Sequence, residues 1–90
     1  MSVYLISYDL KRPGQSYPEL YETLKQASSW SHYLESVWLI STSESLEAWS
    51  QKIRAKIDAN DSFLIVELSA TQPYSGWLPQ EAWDWIKEHL

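Results

Sequence analysis

The eight residues 3–10, with the sequence VYLISYDL, constrain the fold more than any other part of the chain. Strand-forming residues fill almost every position, and the run ends at Asp9, shortly before Lys11, Arg12 and the turn-forming Pro13. Because apolar side chains point to both sides, we predict a strand that is covered on both faces in the middle of a sheet. Asp9 is then expected at the rim of the sheet, a common position for functional groups on α/β scaffolds.

The rest of the chain alternates helical and extended patterns. Apolar residues with the helical period predict helices from Ser16 to about residue 28, from Ser45 to about residue 57, and over residues 79–89. Residues 30–42 and 62–68 are rich in strand formers. The first of these two stretches is interpreted either as a short strand at 31–34 followed by a longer one at 36–42, or as a single bent strand.

This order of elements predicts the fold class. Strand, helix, two strands, helix, strand and helix together indicate an α/β (α+β) sandwich: one ferredoxin-like βαββαβ domain over residues 1–90, with an extra C-terminal helix. Two helices cover one face of such a sheet. The other face also carries apolar residues, because Leu64 and Val66 point away from Phe63 and Ile65. Either the C-terminal helix or a second subunit must cover it, and we expect a homodimer.

Composition excludes several classes of protein. The chain has no cysteine, which excludes disulfides and thiolate metal sites and fits the cytoplasm, where we expect the protein. Its two glycines cannot form a glycine-rich phosphate loop. It has no basic, apolar start typical of a signal peptide and no apolar run near the ~20 residues of a membrane span. A net charge of −5 disfavours nucleic acid as a partner without excluding it.

Three short motifs carry a resemblance to a known family. The sequences YLISYDL at residues 4–10, SVWL at 36–39 and DSFLIV at 61–66 resemble successive strands of the small CRISPR-associated adaptation proteins. Those proteins are ferredoxin-fold homodimers, described as metal-dependent nucleases and as the scaffold of the spacer-integration complex. The virulence-associated protein D ribonucleases have a similar aspartate-ended first strand. The overall pattern is also similar to small bacterial proteins of unassigned function.

The resemblance implies a role for Asp9. Two copies of this residue across a dimer axis would hold one Mg²⁺ or Mn²⁺ ion, which activates water for phosphodiester cleavage, with Lys11 and Arg12 near the phosphate. The chain departs from the family where Pro13 cuts the basic run short and where a helix replaces the last strand. The alternative is that Asp9 accepts backbone N–H groups of the following turn, while Lys11 and Arg12 balance nearby acids.

For the remaining candidate residues, a structural role is favoured over a functional one. His32 could act as a general acid or base, but we expect a structural or interfacial role because no nucleophile is placed beside it. Trp77, Trp83 and Trp85 could stack on bases, but acidic neighbours favour packing in the core or a dimer interface. Two hypotheses follow: a metal-dependent nuclease or nucleic-acid-processing homodimer, or a non-catalytic homodimeric interaction module.

Overall fold

The structure, a computed structural model, describes residues 1–11 and 17–90. This part of the chain contains four strands and three helices. The elements in chain order are β1 (Ser2–Asp9), α1 (Tyr17–Leu24), β2 (Ser29–Leu34), β3 (Val37–Thr42), α2 (Leu46–Arg54), β4 (Ser62–Leu68) and α3 (Gln80–His89). The predicted cap at Ser16 lies outside the described residues.

The four strands form one antiparallel sheet in the order β2-β3-β1-β4. β1 lies between β3 and β4, so that Ile6 faces Trp38 on one side and Ile65 on the other. The predicted central position of this strand is therefore confirmed. β2 and β3 form a hairpin, which confirms the interpretation with two strands over the single bent strand. The architecture is the predicted ferredoxin-like βαββαβ with an additional C-terminal helix.

The first face of the sheet carries the core. Alternate residues of β1 and β3 point to this face because side chains of a strand alternate in direction. Helices α1 and α2 cover them with apolar stripes that repeat at helical spacing. The side chains that are fully removed from solvent here are Ile6, Leu20, Leu24, Ile40, Trp49 and Ile53, with Trp38 only 1% exposed.

The ends of the two core helices have local causes. α2 begins after Ser45, whose hydroxyl accepts the backbone N–H of Ala48 at 3.1 Å. α1 ends at Leu24, about one turn earlier than predicted. The backbone N–H of Ala27 donates to the Leu24 carbonyl at 3.2 Å, a tighter i to i+3 bond that ends the α-helical ladder while keeping Ala27 buried.

The C-terminal helix α3 packs on the second face of its own chain. Ala82 and Ile86 are buried there, and the Trp85 indole N–H donates to the Ser29 hydroxyl of β2 at 2.8 Å. This helix covers the β2 side of the face and leaves the β4 side open, where Leu64 is 61% and Val66 38% exposed. The expectation that β1 is covered on both faces therefore holds fully on the first face and only in part on the second.

Candidate functional site

Asp9 lies at the rim of the sheet, at the end of its central strand. Its side chain is 67% exposed, and its Oδ2 atom is 2.6 Å from the Nζ atom of Lys11. The structure thus brings two of the three predicted site residues together as a surface ion pair. Arg12, the third, lies outside the described residues. The observed pairing matches the interpretation in which Lys11 balances a nearby acid.

A second carboxylate, Asp61, stands beside this pair. The pairing of β1 with β4 sets Asp9 opposite Ser62, so Asp61 lies next to the end of β1. Its Oδ1 atom accepts the backbone N–H of Lys11 at 2.7 Å, and its Oδ2 atom accepts that of Asp58 at 2.8 Å. Asp61 therefore holds the start of the segment after β1, whereas the rest of the turn suggested for Asp9 lies outside the described residues. Sequence reasoning did not single out Asp61 as a site residue, because its place beside Asp9 depends on strand order.

The electrostatics of the rim favour the existing ion pair. The hydrogen bond from Lys11 to the Asp9 carboxylate raises the pKa of the lysine above its ordinary value. A divalent cation that binds this Oδ2 atom would have to displace the ammonium. Within residues 1–11 and 17–90, no three His, Cys, Asp or Glu side chains cluster in a way that could hold a metal ion.

His32 is part of an aromatic cluster on the first face. Its ring stacks on Trp38 with centroids 4.0 Å apart, and its Nε2 atom is 3.1 Å from the carbonyl oxygen of Glu35. The Trp38 indole N–H donates to the Tyr8 hydroxyl, which donates to the same Glu35 carbonyl. Burial raises the pKa of Tyr8, so its phenol stays protonated. These contacts fasten the β2–β3 turn to the core and favour the structural role for His32.

An apolar groove lies on the second face, between the sheet, α3 and the segment that precedes α3. Its volume is about 480 Å³, within the range of roughly 300–1,000 Å³ that is typical of ligand pockets. We call it the second-face groove. Its main apolar walls are Leu5, Val37, Leu39, Leu68, Trp83 and Ile86.

Exposed apolar side chains surround the groove. Tyr74, a lining residue, stacks on Trp83 with centroids 6.3 Å apart. Ser75 and Leu78 also line the groove, whereas Trp77 between them is 96% exposed. Of the three tryptophans expected to pack, Trp83 and Trp85 are partly buried, and Trp77 is left in solvent. From the sequence alone it could not be predicted which of these aromatic side chains stay exposed once α3 packs on the sheet.

Comparison with known proteins gives information on the fold. No protein-family model matches the chain, and no curated protein matches it. The crystal structure of the hypothetical protein TT1823 from Thermus thermophilus is similar, with a TM-score of 0.64 and 20% sequence identity over 87% of this chain and 94% of that one. This likeness shows the fold.

None of the helices in the described residues is both long enough and apolar enough to span a bilayer.

Proposed function

We propose that the chain is a non-catalytic interaction module that acts in the cytoplasm and associates as a homodimer through the second face of its sheet. The observation that carries this proposal is the second-face groove, an apolar surface that α3 covers only in part. Monomeric soluble proteins rarely expose large contiguous apolar patches, and such patches usually mark interaction sites. The other hypothesis rests on one exposed carboxylate that is already paired with Lys11.

The energy available on this face favours association. Full burial of a large apolar side chain is worth about 1.5–3 kcal/mol. Leu64 and Trp77 are mostly exposed in the single chain, so most of this stabilisation becomes available only on association. A two-fold dimer can bury both side chains of each subunit. Mutual repulsion of two copies with a net charge of −5 opposes association but weakens as salt is added. A micromolar dissociation constant is therefore expected, decreasing as ionic strength rises.

Sedimentation equilibrium of the purified chain tests this proposal. Across a range from submicromolar to hundreds of micromolar protein, the mean mass should rise from 10.5 kDa to twice that value. The transition should move to lower protein concentration at higher ionic strength, because the interface is apolar and the net charge repulsive. A mass that stays at one chain throughout the range contradicts the proposal.

A second candidate function is metal-dependent nucleic-acid cleavage at the rim. We propose it on the position of Asp9, an exposed carboxylate at the end of the central strand with Asp61 beside it, together with the resemblance to the CRISPR-associated adaptation proteins. Carboxylate oxygens are the ligands that Mg²⁺ and Mn²⁺ prefer. In this proposal Asp9 binds the ion, and Lys11 leaves its ion pair to contact phosphate together with Arg12.

Substitution of Asp9 tests the nuclease candidate. If it is correct, the protein cleaves RNA or DNA in Mn²⁺ or Mg²⁺ but not in chelator, and Asp9→Asn lowers the rate by roughly 100-fold or more because the metal loses its ligand. Gel assays on single- and double-stranded substrates give the rates. Glu22→Gln, which neutralises an exposed acid on α1, is the matched control and should cleave normally. Cleavage that survives Asp9→Asn, or none in either metal, rejects this candidate.

A further inference from the structure

We infer that Trp77 of one copy inserts into the second-face groove of the other, and that the two-fold dimer is held by this exchange made twice. The inference rests on the proposed homodimer and specifies its anchor. Trp77 is 96% exposed, so residues 1–11 and 17–90 cover almost none of its side chain. The same chain has an apolar groove whose lining includes Ser75 and Leu78, on either side of Trp77. Each chain therefore has an exposed indole ring and an apolar groove, and the indole does not fill the groove of its own chain.

The position of Trp77 suits a second copy of the chain. It belongs to the segment at the edge of the groove, and its side chain is exposed to solvent, where a facing copy would lie. In a two-fold interface, a contact from Trp77 of one copy to the groove of the other occurs twice, because the same patch serves both subunits. The groove volume of about 480 Å³ is large enough for an indole ring. Trp is also among the residues most enriched at energetic hot spots.

The area to be buried approaches the lower limit for a specific interface. One tryptophan buries about 150–250 Å², so two insertions remove roughly 600–1,000 Å² when the groove surface is counted as well. Leu64 and Val66 lie exposed on the same face and add to this area from both copies. The total approaches the ~1,200 Å² at the lower limit of stable protein interfaces. Without Trp77 the remaining area falls well short of that limit.

Substitution at Trp77 gives the first arm of the test. Trp77→Ala should raise the dimer dissociation constant, measured by sedimentation equilibrium, on the order of 100-fold or more because both insertions are lost, with Trp77→Phe in between. The thermal midpoint of the dilute monomer should change little, because the described residues cover almost none of the Trp77 side chain. Ser43→Ala, at an exposed position before α2, is the surface control and should leave the dissociation constant unchanged.

Fluorine NMR of fluorotryptophan-labelled protein gives the second arm. The Trp77 resonance is assigned by its loss in Trp77→Phe, and it should shift and lose solvent accessibility as the wild-type protein dimerises. N-acetyl-tryptophanamide added to monomeric Trp77→Ala should shift the methyl resonances of Leu39 and Val37 in the groove.

The outcomes separate the inference from the proposed function. A wild-type dimer that Trp77→Ala does not weaken overturns the inference alone. So does a dimer in which groove methyls shift while Trp77 stays in solvent, because another part of the second copy then fills the groove. Groove methyls unmoved by the indole probe also count against the inference. A wild-type chain that stays monomeric at all protein concentrations tested contradicts the proposed homodimer as well as the inference.

Discussion

Trp38→Ala should lower the free energy of unfolding by about 3–5 kcal/mol, the range for removing a large aromatic side chain from a core. The indole ring is 1% exposed and lies under His32, with Tyr21 and Trp30 at its edges. Its removal leaves a cavity in the centre of the first face and deprives the Tyr8 hydroxyl of its donor. A chain of 90 residues has little stability to lose, so much of the variant should be unfolded at 37 °C.

Urea denaturation followed by circular dichroism measures this change. Tyr8→Phe is the graded comparison: it keeps the ring but leaves the Trp38 indole N–H buried without an acceptor, which should cost about 1–3 kcal/mol. The two variants together separate packing from hydrogen bonding. A loss below about 1 kcal/mol for Trp38→Ala would mean that the ring is not the centre of the core.

Leu64→Lys should weaken the dimer by roughly 100-fold without unfolding the chain. Leu64 is 61% exposed on the second face, so the isolated subunit tolerates a charged side chain there. In the dimer the two new ammonium groups would lie in an apolar interface without partners, at a combined cost of about 3 kcal/mol, which corresponds to the 100-fold change. Sedimentation equilibrium measures the dissociation constant.

Gln51→Lys is the matched control for this charge. Gln51 is exposed on α2, which packs on the opposite face of the sheet, and the substitution adds the same positive charge. If net charge alone governed association, both variants would dimerise more strongly than the wild type, because each reduces the charge of −5. Weakening by Leu64→Lys alone places the interface on the second face. Equal behaviour of the two variants would contradict it.

The fold could be predicted from sequence where a single local period decides it. Runs of strand-forming residues at 3–10 and 62–68 identify the strands, and the stripe of Leu46, Trp49 and Ile53 identifies α2. The end of α1 was placed too late because Ala27 continues the helical spacing of its apolar residues. A tightened turn, in which the backbone N–H groups of Gln26 and Ala27 donate to carbonyls three residues earlier, ends the helix there instead.

The candidate site was less accessible to sequence reasoning, since it depends on which elements become neighbours. Asp9 and Lys11 are close in sequence, and their contact agrees with one of the two interpretations of Lys11. Asp61 is distant, and only the pairing of β1 with β4 brings it to the rim. The second-face groove depends on the path of α3 across the sheet. The sequence predicted that this face needs a cover but left open whether α3 or a partner supplies it. The structure shows that α3 covers part of it.

In the proposed dimer, the two copies meet at the open part of the second face. Isotope-filtered NOE spectroscopy on a dimer of one labelled and one unlabelled copy tests this arrangement. Intermolecular NOEs are expected from the methyl groups of Leu64 and Val66, and none from side chains on the outer surfaces of α1 and α2. Intermolecular NOEs confined to those helices, with the second face unaffected, would contradict it.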